Sequence, residues 1–219
     1  MLETMHLESI NIGQIETLSR AQQSHTTGIC KYAVKGGVYL DEAGLRGDSV
    51  VDQLHHGGVD QAVYAYSADD YDWWTRAMGL KVAPGLFGEN LTIRGLPSDM
   101  NVGDRLLIGE VVLEATAPRI PCGTLATRMQ DPEFGIAFRQ AERPGIYFRV
   151  LSGGEVFAGD SVTLVVNDSS DVSILELFRF YYALRHDKAT LRRFLKVPLA
   201  IRFRAKVEAK LAALEQASG

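Results

Sequence analysis

The sequence predicts a mainly β domain, a barrel with a few short helices, followed by a small C-terminal appendage of three helices. Short runs of alternating apolar and polar residues, separated by Gly, Asp, Pro and Asn, recur as far as Val166. Beyond Asp171 the apolar residues repeat with a helical period instead. Many short strands separated by turns are typical of a barrel rather than of an open parallel sheet.

The charge of the chain changes where the period changes. Residues 1–170 contain thirteen Lys or Arg against twenty-two Asp or Glu, a net charge of −9. Residues 171–219 contain ten against five, a net charge of +5. The polar, turn-prone stretch Asn-Asp-Ser-Ser-Asp at 167–171 separates the two parts. We therefore predict a β-barrel domain over residues 1–168 and a helical appendage over residues 169–219.

The first part contains the runs that predict its strands. They occupy residues 9–15, 28–34, 90–94, 105–110, 111–115, 145–151 and 161–166. A helix is predicted from Ser67, which can accept a hydrogen bond from the first turn, and Gly79 should end it. Two short helices are predicted after Cys122 and around residues 133–142.

The tail pattern predicts three further helices. The first has an apolar face, the second is capped by Asp187, and the third opens near Pro198. Such short helices bury little on their own, so we expect them to pack on the barrel or on a partner.

The composition indicates the cell compartment of the protein and the kinds of partner that it does not bind. No apolar run approaches the roughly 20 residues needed to cross a bilayer, and the N-terminus lacks the pattern of a signal peptide. We therefore expect a cytoplasmic protein with no membrane partner. Two cysteines do not make a disulfide framework and suit a reducing compartment. An acidic chain without basic runs interleaved with aromatic residues argues against nucleic-acid binding.

The most informative stretch is Thr-Ala-Pro-Arg-Ile-Pro-Cys at 116–122. It follows a predicted strand and precedes a predicted helix, so Cys122 should lie at a helix N-terminus. The positive end of the helix dipole and nearby Arg119 would lower the pKa of the thiol, and this suits a nucleophile or a soft metal ligand. The alternative is that Cys122 is only a small buried apolar residue.

A second polar stretch extends from Gly44 to Tyr64. Gly57 and Gly58 allow the backbone to approach a ligand closely, and Arg46 and His56 could add side-chain donors. Asp48 and Asp60 could cap turns or bind amino groups.

Two alternatives remain open for this stretch. One is a zinc site from His55, His56 and Asp60, although adjacent residues of an extended chain point to opposite faces. The other is a glycine-rich turn with no ligand.

A third stretch, Gly-Glu-Asn-Leu at 88–91, opens a predicted strand. Glu89 and Asn90 could bind the amide and amine groups of a heterocycle, or they could cap a turn.

Taken in order, these stretches resemble the MOSC family, named for the C-terminal domain of molybdenum cofactor sulfurase. The resemblance depends on four motifs: Gly-Leu-Arg-Gly-Asp (44–48), His-Gly-Gly-Val-Asp-Gln-Ala (56–62), Gly-Glu-Asn-Leu (88–91) and Pro-Arg-Ile-Pro-Cys (118–122). The tail, beginning Val-Ser-Ile-Leu-Glu-Leu-Phe at 172–178, is similar to the three-helix appendage of the YiiM-like branch. That branch is associated with resistance to 6-N-hydroxylaminopurine and with reduction of N-hydroxylated compounds.

The resemblance implies a MOSC-type β-barrel that holds the molybdenum cofactor, a molybdopterin. By analogy, Cys122 would be the catalytic residue and the thiolate ligand of the metal. The cofactor-binding residues that the resemblance implies, with chemistry deciding their roles, are Arg46, Asp48, His56, Gly57, Gly58, Gln61, Glu89, Asn90 and Arg119.

The predicted function is reduction of a small N-hydroxylated base or related compound. A separate redox protein would supply the electrons, because the chain has no flavin or iron–sulfur signature. The alternative is a non-catalytic module that binds or carries the cofactor or its sulfur. The basic tail is predicted to dock an acidic electron donor or to form a homodimer, unless its charges only solvate the outer helix faces.

Overall fold

The structure, a computed structural model, describes residues 5–20, 23–52, 56–79 and 82–217. The strands are β1 (His6–Gly13), β2 (Glu16–Arg20), β3 (Gln23–Thr27), β4 (Lys31–Ala33), β5 (Val38–Asp41), β6 (Gly44–Leu45), β7 (Val63–Ser67), β8 (Leu91–Arg94), β9 (Arg105–Ile108), β10 (Val111–Pro118), β11 (Ile146–Ser152), β12 (Gly154–Val156) and β13 (Thr163–Val165). The helices are α1 (Ala68–Met78), α2 (Gly123–Arg128), α3 (Phe134–Ala141), α4 (Ile174–Tyr182), α5 (Lys188–Phe194) and α6 (Ile201–Gln216), with one 3-10 turn at Val59–Gln61.

Eight strands form one mixed sheet in the order β13-β9-β10-β11-β7-β8-β1-β4. The prediction of a barrel is wrong, because within the described ranges no strand ladder joins the edge strands β13 and β4. Only isolated backbone hydrogen bonds connect the start of β1 to residues 159–162, such as Leu7 N to Asp160 O at 2.9 Å. Helices and strands also contain nearly equal numbers of residues, so the fold is not mainly β.

The predicted strand runs miss β7 in the large sheet and, outside it, β2, β3, β5, β6 and β12. All five residues of β7 are buried, so its sequence shows no alternation. It pairs in parallel with β8, and a parallel pair needs a crossover, which α1 provides. Ser67 caps α1 by accepting from Asp69 N, and Gly79 ends it in the left-handed conformation, as the sequence predicts.

The three tail helices pack on the sheet. Leu177, Phe180 and Val207 belong to the same apolar cluster as Leu113 and Phe148 of the sheet. A second, largely aromatic cluster contains residues of β7, α1 and α3. Helix α6 begins at Ile201 rather than at Pro198, because Ala200 is non-helical, with a ψ of 137°, and the Pro198 carbonyl accepts a hydrogen bond from Arg149 at 3.1 Å. The division at residue 168 stays a prediction.

Ion pairs within the tail involve part of its positive charge. Arg192 lies 2.6 Å from Glu215, and Arg193 pairs with Glu176. In the described part of the chain, no helix is long and apolar enough to span a membrane.

Candidate functional site

Cys122 lies where β10 leaves the sheet. It has extended backbone dihedrals and occupies the N-cap position of α2, and its carbonyl accepts from Leu125 N at 3.1 Å. The side chain is half-buried, and the thiol is free. The expectation of a cysteine at the start of a helix is therefore confirmed at the level of local structure.

The thiol opens into a cavity of about 650 Å³. Its walls come from the β3–β4 connection, residues 49–52, the 3-10 turn, β7, β11 and the start of α2. Gly88 also lines it, with a φ of +80°, and a side chain there would meet Ile29 at 2.8 Å. A glycine is therefore required where the Gly-Glu-Asn-Leu motif approaches the cavity.

The surroundings of Cys122 stabilise its thiolate. Burial acts to raise the pKa of the thiol, but the hydrogen bond with His56 and the nearby charge of Arg119 outweigh it and lower the pKa to about 6. The His56 ring is in turn 3.4 Å from the Tyr147 hydroxyl through its Nδ1. At neutral pH the site therefore presents an anionic sulfur.

This pKa predicts how Cys122 reacts when no cofactor covers it. In cofactor-free protein, the iodoacetamide alkylation rate of Cys122 should rise with a midpoint near pH 6, because only the thiolate is nucleophilic. Burial raises the pKa of Cys30, which serves as the internal control and should stay unlabelled there. Peptide mass spectrometry across pH measures both, and a Cys122 midpoint near its ordinary value of 9.0 would contradict the geometry.

Arg119 is a buried cation beside this sulfur. It is 4% exposed, its Nη1 donates to the Tyr147 hydroxyl at 3.2 Å, and it lies over the Tyr64 ring. Burial opposes its charge, but Tyr147, Tyr64 and Cys122 raise its pKa, so it stays protonated. Its Nε has no partner among the described residues. A buried guanidinium with an unpaired N–H is suited to an anionic ligand.

A second buried cation, Lys31, lines the same cavity and pairs with Asp48. Burial lowers the pKa of Lys31, whereas Asp48 acts to raise it. Asp48 also accepts from Gly13 N at 2.7 Å and from Asn90 Nδ2 at 2.9 Å. Asp48 thus connects three parts of the chain around the cavity wall, and Asn90 also bonds Tyr64 N at 3.2 Å.

Comparisons with known proteins identify the family of the chain. Residues 52–163, more than half of the chain, match the model of the MOSC domain. The chain belongs to the MOSC domain family. Residues 172–214 match the model of the YiiM-like three-helix domain.

Relatives extend over most of this MOSC protein. YflK of Bacillus subtilis is 33% identical over 84% of this chain and 82% of its own. The crystal structure of YiiM from Geobacillus stearothermophilus superposes with a TM-score of 0.78 at 28% identity, covering 94% of this chain and 99% of that one. A protein of Gibberella moniliformis named reductase is 33% identical over 70% of this chain but only 28% of its own length.

The MOSC structure brings five predicted residues to the cavity and leaves the others outside its lining. The five that line it are His56, Gln61, Asn90, Arg119 and Cys122. Arg46 is exposed and stacks over Tyr39 at 4.7 Å. Gly58 has a φ of +95° and caps the 3-10 turn, and Gly57 precedes it. The roles of all these residues stay predictions.

Glu89 is placed as a support for the cavity wall. It is fully buried and accepts from Tyr71 at 2.8 Å and from Thr92 at 2.9 Å. Burial raises its pKa, against the hydrogen bonds that it accepts from Gly85 and Tyr71. It thereby holds the loop that carries Gly88 and Asn90.

Lys31, Tyr64 and Tyr147 also line the cavity, although the sequence does not predict them as site residues. Lys31 and Tyr147 fall in runs that predict strands, where alternation indicates a buried face but not its chemistry. A lysine within a run that predicts a buried strand face was the signal that could have identified Lys31 as a site residue. The zinc alternative included His55, which lies outside the described residues. Within those residues, no group of three His, Cys, Asp or Glu could hold a metal ion.

Proposed function

We propose that this MOSC protein is a molybdenum-cofactor-dependent reductase of small N-hydroxylated compounds. The observation that carries the proposal is the pairing of a low-pKa thiol with a buried cation, both in one cavity of about 650 Å³. The relative named reductase supports an oxidoreductase, although it shares only part of its length with this chain.

The residues fit the implied cofactor. A thiolate is a soft ligand, which suits a molybdenum–sulfur centre better than carboxylates do. The unpaired Arg119 Nε and the ammonium of Lys31 would hold anionic oxygens of a molybdopterin, and the Asn90 amide and the Gln61 amide would meet its heterocycle. Bound there through Cys122, the cofactor would supply the two-electron redox chemistry.

The side chains around Cys122 have a defined part in the reaction. Reduction of R–NHOH needs two electrons and two protons, breaks the N–O bond, and releases R–NH₂ and water. His56 and Tyr147 form a chain of proton-carrying groups beside the thiol, so they can deliver protons to the departing oxygen. Arg119 offsets negative charge that accumulates in the cavity. A separate redox protein would supply the electrons, and the basic tail is its proposed docking surface.

A reduction assay tests this function. Protein from a cofactor-producing host is mixed with chemically reduced methyl viologen and 6-N-hydroxylaminopurine or benzamidoxime, and the amine or amidine product is measured by chromatography. We expect one product molecule per two electrons consumed. Bound cofactor without N–O cleavage would instead support the alternative, a carrier of the cofactor or its sulfur.

A further inference from the structure

A second cavity, of about 400 Å³, meets the first at Cys122. His56, Gln61, Cys122 and Tyr147 line both cavities. The second lies between the loop that carries Cys122 and the tail helices α4 and α6. The reactive sulfur is therefore accessible from a space that the three-helix appendage helps to enclose.

The His-Gly-Gly-Val-Asp-Gln-Ala motif holds α6 in this position. Asp60 accepts a hydrogen bond from Ile201 N at 2.8 Å, at the start of α6. Gln61 accepts from Arg202 Nη1 at 2.5 Å. The motif thus joins the centre of the site to the appendage through hydrogen bonds to the start of α6.

Apolar and aromatic side chains form part of the wall of the second cavity. Ile120 and Pro121 form one side, and Tyr181 and Phe203 of the tail form another. Phe203 is buried and Tyr181 is half-buried. Flat aromatic walls of this kind select planar, largely apolar ligands.

Two cationic side chains of α6 line this cavity. Lys206 is exposed, with its Nζ 3.7 Å from the centre of the Tyr181 ring, and Arg202 lies one turn earlier on α6. Asp52 is the acidic member of the lining. A planar ligand with an anionic substituent would therefore place that substituent towards α6.

We propose that the second cavity is the substrate chamber, and that it takes a planar aromatic N-hydroxylated compound with an anionic substituent. The N-hydroxyl group points to Cys122, His56 and Tyr147, the ring lies against Tyr181 and Phe203, and the anionic group lies near Lys206 and Arg202. This proposal depends on the proposed function. It assigns the cofactor to the first cavity and substrate selection to the appendage.

Binding without turnover tests the chamber. Calorimetry on the oxidised holoprotein, with no electron donor, gives the Kd of 4-carboxybenzamidoxime and of benzamidoxime. Lys206→Glu should weaken binding of the carboxylate about fivefold or more, since it reverses one charge at the cavity, and should leave the neutral ligand within about twofold. Tyr181→Ala should weaken both ligands, because it removes a wall of the ring site.

Matched controls separate the chamber from general effects. Lys196→Glu makes the same charge change at an exposed lysine outside the cavity, and Tyr32→Ala removes an exposed tyrosine of β4 that lines neither cavity. Both should bind like the wild type. Three results would overturn the assignment of this cavity as the substrate chamber. The test and control variants could change the Kd equally, both test variants could bind as the wild type does, or the wild-type protein could fail to bind the ligands.

Molybdenum content is measured for every protein used. Wild-type protein without molybdenum or pterin contradicts the proposed function, whatever it binds. If the wild-type protein carries molybdenum and pterin, but the Tyr181→Ala and Lys206→Glu variants bind both ligands as tightly as it does, the substrate chamber is contradicted and the proposed function is not.

Discussion

Replacing Cys122 with Ser should reduce N-reductive activity by at least about 100-fold while the protein stays folded. Changes even to groups that only support a metal ligand typically cost about 10–100-fold, and here the proposed ligand itself is lost. A serine hydroxyl stays protonated at neutral pH, so the buried Arg119 cation no longer has an anionic sulfur beside it. Steady-state kinetics with an artificial electron donor measures the loss.

Cys30→Ser is the matched control for this experiment. Cys30 is buried in the aromatic cluster and is not among the residues lining either cavity, so its replacement should change activity far less. Thermal unfolding of both variants checks the fold. Near-normal activity of Cys122→Ser would remove the thiol from the mechanism.

Asp48→Ala should lower the free energy of unfolding by about 3–5 kcal/mol. The carboxylate is 7% exposed and accepts hydrogen bonds from Lys31, Gly13 and Asn90. Its removal leaves the Lys31 ammonium buried without its counter-ion, which is the costly way to break a buried pair. Urea unfolding measures the change.

Asp41→Ala provides the comparison. That carboxylate accepts from Ala43 N in an exposed turn, and it should cost about 1 kcal/mol or less. A loss in Asp48→Ala as small as in Asp41→Ala would show that Lys31 does not depend on Asp48 for its burial.

Local chemistry made much of the fold predictable. Ser67 and Gly79 bound α1, and Asp187 caps α5 through Thr190 N at 2.8 Å, because such residues satisfy backbone groups at helix ends wherever they occur. Alternating runs located seven strands to within a few residues. The same rule could not find β7, which is buried on both faces, nor exclude sheet closure, which depends on contacts far apart in the sequence.

The site was predictable where a residue's chemistry and its place in the chain agree. Cys122 and Arg119 lie on one short connection, so their proximity follows from the sequence. Lys31 and Tyr147 reach the same cavity through sheet pairing and packing, which no spacing rule contains. Glu89 lies outside the cavity lining and supports the wall by accepting hydrogen bonds from Tyr71 and Thr92, a placement that its motif alone does not predict.

The molybdenum and pterin content of wild-type and Cys122→Ser proteins, purified in parallel from a cofactor-producing host, tests most directly whether Cys122 holds a molybdenum cofactor. Metal analysis and pterin fluorescence after oxidation give the content of each. We expect close to one molybdenum and one pterin per wild-type chain and a large loss of metal in the variant. Wild-type protein without either component, or a variant that retains both, would contradict the claim that Cys122 holds a molybdenum cofactor in this cavity.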